Sequence, residues 1–495
     1  MNLSLELMLQ LSIILPLFAT LGIVATGSKP NLREGVTIAT ALVLLYFVFN
    51  LYQGIQRGES IRVQWWEILP GIQVSFSIEP LGMLFALIAS FLWLVTSVYA
   101  IGYMRSHHEQ NQTRFYTCFA IAIGSVMGIA FAGNLFTLFI FYEVLTLSTY
   151  PLVTHAGTEE AKKGGRVYLG ILLSTSIVFF LLAIVSTWFV ASTLDFKPGG
   201  IFGSNVNVTV AGVILVLFIF GIGKAAIMPF HRWLPAAMVA PTPVSALLHA
   251  VAVVKAGVFT ILKVCVLIFG IDLLSVLPTT QFLLYLAGVS VLLASLVAMR
   301  QDNLKARLAY STVSQLGYVT VGALLATSSG VIGSAMHIGM HAFGKITLFF
   351  CAGAILVAAH KSKISEMRGL GRQMPITMAA FFIASLSIIG VPPTGGTWSK
   401  WFLLMGTMEA QQWILMAVLM ISSLLNIAYL LPIPFRAFFP GTKTGTETSS
   451  GHVGIKEAPL PSLIALCITT LGCVILFVYP QPLYELAKAI LATPG

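Results

Sequence analysis

Charge is what this chain has least of. Only 9% of its 495 residues are Asp, Glu, Lys or Arg, against about 25% in a soluble domain. A water-soluble globule is excluded on that count. Acids are scarcer than bases, 17 against 27, for a net charge of +10. The excess does not point to nucleic acid, because the charges punctuate loops and form no continuous basic stripe. The 5 cysteines, Cys118, Cys265, Cys351, Cys467 and Cys473, lie in or near apolar segments and no C-x-x-C occurs. They read as small hydrophobes, so no disulfide framework, zinc site, iron–sulfur centre or other cofactor is expected. A phosphate-binding loop of the G-x-x-x-x-G-K-[ST] type is missing too. Any energy must therefore come from an ion gradient or a partner, not from this chain's own nucleotide hydrolysis. The apolar run after Glu6 has neither a basic leader nor a small-residue cleavage site and is expected to stay as a first span.

What the chain has instead is long apolar runs: 57% of the residues are hydrophobic. Runs of about 18 or more residues predict an all-α integral membrane protein with about 14 transmembrane helices. Sorting Lys and Arg across that arrangement tests it. With the N-terminus outside, only Arg57, Arg62, Lys197 and Lys488 face outward, and Lys224, Lys255, Lys263, Lys345 and Lys400 are buried. All the others, Lys443 among them, fall in inside loops. The asymmetry places both termini on the outer side of a bacterial inner membrane. The polar loop at 436–458 is expected to be a connector, and the amphipathic piece Pro482–Leu491 to lie along the surface.

Two spans are expected to be broken. One carries Lys224, with Pro229 a turn later, so the helix should weaken beside the lysine. The other, 373–408, is interrupted by Val391-Pro-Pro-Thr-Gly-Gly396 just before Lys400. The two spans run in opposite directions, as in an inverted repeat. An ammonium at bilayer depth costs roughly 2.5–3.5 kcal/mol, so each buried lysine calls for a reason. Glu143 is the one clearly mid-membrane acid. It must be protonated or paired, and a Glu143–Lys224 pair that forms and breaks is a switchable proton site. The alternative is a fixed ion pair between helices. For Lys400 the alternative is snorkelling to the outer surface, the role expected of Lys263.

His337, His341 and Lys345 recur at i, i+4 and i+8 on one helix face, about 6 Å apart, a ladder of proton acceptors and donors. Histidines at i, i+4 also suit zinc, but no further ligand is evident and no metal is expected; satisfied structural histidines are the other alternative. His249 and Lys255 share a span without sharing a face. They converge only if that helix is distorted or water bridges the gap.

The motifs as a set resemble the antiporter-like subunits of respiratory complex I, membrane-bound hydrogenases and Mrp-type cation/proton antiporters. They run from Glu143 through Gly223-Lys224-Ala225, Pro229, Trp233-Leu-Pro235 and Pro241-Thr-Pro-Val-Ser-Ala246. His249, Lys255, Leu304–Tyr318, His341–Lys345, Gly390-Val-Pro-Pro393 and Ser399-Lys400 follow. Gly344 departs from the family, where a bulkier residue is common. The resemblance implies two inverted five-helix repeats, at 114–272 and 273–436, between an N-terminal three-helix segment, 1–113, and a C-terminal helix and tail, 437–495. It also implies a hydrated mid-membrane line in which the Glu143–Lys224 pair couples to Lys255 with His249 and His341, ending at Lys400. Partner membrane subunits are expected, with protons and Na+ as the transported ions. The short C-terminal end favours a Mrp-type, D-like role, exchanging a monovalent cation (Na+) for protons. A proton-pumping subunit of a complex I-like or hydrogenase-type redox complex, a membrane subunit of an energy-coupled inorganic-carbon uptake system and a plain scaffold remain alternatives. No catalytic redox centre is expected in the chain itself.

Overall fold

The computed structural model describes residues 3–203, 205–247, 251–439 and 454–491. His249, Lys443 and most of the predicted 436–458 connector therefore lie outside the described residues. Apolar runs become helices wherever lipid leaves the backbone no other hydrogen-bonding partner. The first are α1 (Leu5–Ala25), α2 (Pro30–Gln56), α3 (Pro80–Ser106), α4 (Gln112–Ala130), α5 (Leu135–Val153) and α6 (Glu159–Thr175). A π-helical turn, Ser176–Phe180, joins α6 to α7 (Leu181–Ala191), and α8 (Val208–Gly221) follows. Next come three short pieces, α9 (Trp233–Ala236), α10 (Thr242–Ala246) and α11 (Val253–Val264), then a second π turn, Cys265–Phe269, and α12 (Ile271–Val276). The second half holds α13 (Pro278–Arg300), α14 (Leu304–Leu324), α15 (Ser328–Ala359), α16 (Pro375–Ile389) and α17 (Gly396–Glu409). It closes with α18 (Trp413–Leu430), α19 (Pro432–Phe438), α20 (Leu460–Val478) and α21 (Gln481–Ala489).

Helix starts follow local chemistry. Asn134 and Asn303 accept from backbone N–H groups of Thr137 and Ala306 at 2.8 and 3.0 Å, and Thr158 caps α6, whose first turn carries Glu159 and Glu160. Proline sits in the first turn of α2, α3, α13, α16 and α20, where its missing N–H costs nothing.

Ten helical stretches among the described residues are long and apolar enough to cross a membrane. The remaining predicted spans fall on the shorter or interrupted helices α8, α11 and the α16–α17 pair, and on α14, a continuous but more polar helix of 21 residues. The outer wall carries bare apolar side chains such as Phe18, Phe189, Trp413 and Leu424, the surface lipid requires. The 32-residue α15 lies at the centre, against α3, α11, α14, α16, α17 and α20.

One element has no counterpart in the sequence reading. The connection after α2 folds into an antiparallel hairpin, β1 (Arg62–Leu69) and β2 (Ile72–Ser77). It docks on the start of α5, where Asn134 Nδ2 donates to Gln73 O at 2.7 Å and Ser75 N donates to Thr137 Oγ1 at 3.0 Å. At the far end of the chain α21 buries Leu483 and Leu486, consistent with the amphipathic pattern read there.

Candidate functional site

The Lys224 break is placed differently from the expectation. Helix α8 stops at Gly221, before the lysine. Lys224 sits in a 3-10 turn, Gly223–Ala225, closed by Ala226 at φ 53°. The turn is held from both sides: Lys224 N donates to Tyr142 Oη at 3.1 Å, and Trp233 Nε1 donates to Gly223 O at 2.9 Å. Its backbone lies directly on Gly257 of α11, where a Cβ would meet Ala225 N and Lys224 O. Proline-induced weakening is thus not the main cause. Close packing against α11 and α5 sets the break.

The Lys224 side chain is fully buried. Its ammonium donates to Tyr142 O at 2.8 Å and Thr146 Oγ1 at 2.6 Å and lies 3.2 Å from the Tyr142 ring centroid. Glu143 is the neighbouring residue on α5 and acts on that ammonium electrostatically. Both carboxylate oxygens are buried with no hydrogen-bond partner among the described residues. The predicted pair is therefore adjacent but disengaged. Lys224 rests on the backbone and hydroxyl of the turn that carries Glu143.

The predicted ladder divides. His341 Nδ1 is 2.6 Å from the Lys255 ammonium on α11, so Lys255 meets a histidine on α15. The expected third member of that group, His249, lies outside the described residues. The His337 and His341 rings stack with centroids 5.7 Å apart. His337 Nε2 faces Gln315 Oε1 at 3.1 Å and Nδ1 faces Ser399 Oγ at 2.9 Å. Both His337 nitrogens are thereby engaged by neighbours, which leaves none to join His341 on a metal in this arrangement. Lys345 leaves the ladder. It points to α14, donating to Ser311 Oγ at 2.9 Å, and Tyr429 Oη donates to the same Ser311 Oγ at 3.0 Å.

The second break falls where it was read. Helix α16 ends at Ile389 and is capped by Gly390, φ 88°, a left-handed conformation that glycine adopts without strain, and α17 begins at Gly396. Lys400 is 6% exposed, so its ammonium is held inside the protein. Its ammonium donates to the freed Ile389 carbonyl at 3.0 Å and to Ser423 Oγ at 2.9 Å. It lies 4.7 Å from the Tyr318 ring, which stacks on His337 at 5.8 Å. A cavity of about 270 Å³ opens beside Lys400, Ser423 and Tyr318 and reaches the exposed side chains of Met420 and Leu424.

The structure thus sets Glu143 beside Lys224, joins Lys255 to His341 and His337, and brings Tyr318 between His337 and Lys400, with Lys345 apart on Ser311. Tyr142, Thr146, Ser423 and Tyr429 were not singled out from sequence. The available signal was their polarity inside apolar spans. Ser311, Gln315, Tyr318 and Ser399 sat within quoted motifs without a role. Lys263 corrects an expectation. It is fully buried and paired with Glu79 at 2.5 Å, not reaching for the surface.

A multi-pass helical membrane protein with an internal line of lysines and histidines is the class this geometry defines. Residues 132–426 match the sequence profile of the NADH:quinone oxidoreductase/Mrp antiporter transmembrane family, and residues 66–116 match the complex I chain 5 N-terminus. The chain is 31% identical over 485 residues to NADH-quinone oxidoreductase subunit N of Desulforudis audaxviator, covering 95% of each. It belongs to the antiporter-like membrane subunits of the complex I and Mrp type. Subunit 5 of the chloroplast NAD(P)H-quinone oxidoreductase of Ipomoea purpurea is 30% identical over 395 residues, and the chain spans 54% of that longer protein. The fold matches a chain of the Mrp complex from Dietzia sp. DQ12-45-1b with a TM-score of 0.85, at 22% identity over 99% of this chain and 97% of that one. A chain of the archaeal membrane-bound sulfane sulfur reductase follows at 0.83 and 24%, covering 98% of each.

Proposed function

We propose that this chain is a proton-translocating subunit of a multisubunit membrane complex, exchanging protons for a monovalent cation, with Na+ the first candidate. The observation that carries the reading is the 2.6 Å contact between Lys255 and His341. It joins α11, the helix that supports the Lys224 turn, to α15, the helix that leads to Lys400. One proton shared between an amine and an imidazole serves either as a bond within the line or as a transferable charge. Four lysines, Lys224, Lys255, Lys345 and Lys400, are buried here, and Glu143 acts electrostatically on the first of them. They cannot all hold a proton at once without a large desolvation penalty. Charging one favours discharging its neighbours, which is how a proton entering at one end moves another out.

Glu143 is the switch in this scheme. With the ammonium on Tyr142 and Thr146 the carboxylate has no hydrogen-bond partner among the described residues; a swing of Lys224 onto Glu143 changes the charge that Lys255 senses. Domain limits at 114–272 and 273–436 for the two repeats, both termini on the outer side of a bacterial inner membrane, and adjoining membrane subunits complete the proposal.

A second reading, proton pumping driven by a redox partner, is favoured by the full-length similarity to subunit N. Reconstituting the assembled complex in liposomes separates the two. Antiport predicts that an imposed Na+ gradient drives proton movement with no electron donor present, whereas a pump moves protons only during electron transfer. In either assay Glu143→Ala and Lys224→Ala should each abolish transport while assembly survives. Normal transport by either assembled variant defeats the relay.

A further inference from the structure

The relay leaves one buried ion pair unused. Lys263 and Glu79 face each other at 2.5 Å, with side-chain exposures of 0% and 18%. The ammonium also donates to Ala132 O at 2.8 Å and lies 4.2 Å from the Phe196 ring centroid. We propose that Glu79 and Lys263 form a second proton-exchange site, which opens the Lys255 segment of the line to the hairpin end of the molecule. The proposal rests on the proton-translocation reading above.

Position argues for it. Lys263 follows Lys255 on the same helix by two turns, about 12 Å along the axis, displaced toward the hairpin end. Lys263 is wholly inside and Glu79 is partly outside, so the pair spans the step from interior to surface. The rim is built to hold Glu79 there. Strand β2 runs straight into it, fixed by Ser77 N donating to Phe131 O at 2.8 Å and by a bridge between Phe76 and Ala132. Ala132 is the residue whose carbonyl accepts from Lys263. The helix turns π-helical at Cys265–Phe269, immediately beyond the lysine, a distortion frequent at functional sites. A simple staple has no need of a partly open carboxylate, and apolar packing would serve it equally well.

The chemistry balances in two steps. The Lys263 ammonium passes one proton to the Glu79 carboxylate, leaving an amine and a carboxylic acid, both neutral. Glu79 then gives that proton to water at the surface, and Lys263 takes its replacement from Lys255 through intervening water.

The test uses the assembled complex in liposomes with an entrapped pH-sensitive dye. Glu79→Gln keeps the shape and an acceptor for the ammonium but cannot carry the proton. It should assemble and lower proton movement about tenfold or more. The double variant Glu79→Gln with Lys263→Met removes any stranded buried charge and should stay equally slow. Parent-like transport by Glu79→Gln overturns the proposal, as does recovery in the double variant, which a staple predicts. Glu143→Ala run alongside keeps the readings apart. If it is inactive while Glu79→Gln matches the parent, only this site fails; if Glu143→Ala itself transports normally, the relay fails first.

Discussion

Each lysine on the line touches neutral acceptors at close range, and that is what lets it change state. Lys224 rests on a carbonyl and a hydroxyl, Lys345 on a hydroxyl, Lys400 on a carbonyl and a hydroxyl. These acceptors stabilise the ammonium through hydrogen bonds without supplying a fixed counter-charge. Lys400 gives the sharpest prediction. Arginine keeps the positive charge and some of the hydrogen bonds but does not give up its proton. Lys400→Arg should therefore assemble and slow turnover about a hundredfold, measured as proton flux in liposomes. Parent-like flux in both Lys400→Arg and Lys400→Ala would leave Lys400 an anchor and end the line elsewhere. The buried lysines, Glu143 and the histidines were legible in the sequence because each is a costly residue in an apolar run. Ser423 was not, since a serine hydroxyl in a membrane helix satisfies itself on the preceding turn often enough to carry no signal; nor was Tyr429, whose hydroxyl partner, Ser311, lies on another helix.

Breaks in helices decide where those side chains meet. The α16–α17 break was legible as two prolines and two glycines in a row. The Lys224 turn was only half legible: Pro229 marked the neighbourhood, but the chain departs from α-helix earlier because it lies on Gly257. That contact makes a second prediction. Alanine at 257 would improve helix propensity by about 1 kcal/mol, yet its Cβ has to enter the backbone of the Lys224 turn, with Lys224 O at 2.8 Å. Overpacking of this kind costs about 1–3 kcal/mol. Gly257→Ala should lower the thermal midpoint of the complex and, by displacing Lys224, reduce transport about tenfold or more. An unchanged midpoint with unchanged flux would mean that the turn relaxes freely and does not position Lys224.

At the scale of the whole molecule, the charge asymmetry makes its own prediction about orientation. The hairpin end should face outward and the loop joining α15 to α16 inward. In a background lacking the exposed Cys467, Ser60→Cys should react with a membrane-impermeant thiol reagent applied to intact cells, and Ser362→Cys only after the membrane is opened. The reverse pattern would invert the proposed topology and turn Glu79 toward the cell interior.

Composition and patterning alone determined that this is a helical membrane protein, which spans carry titratable groups, and that a proline–glycine break precedes Lys400. Those properties follow from one-dimensional constraints, because lipid forbids unsatisfied backbone and penalises every charge regardless of what lies nearby. Only the tertiary structure decided the pairings. It took Lys255 to His341, turned Lys345 away from the histidines it follows on α15, and closed Glu79 onto Lys263 through a hairpin no periodicity announced. Such contacts depend on which helices are neighbours and on approaches fixed by a single glycine, and a hydropathy pattern holds no record of either.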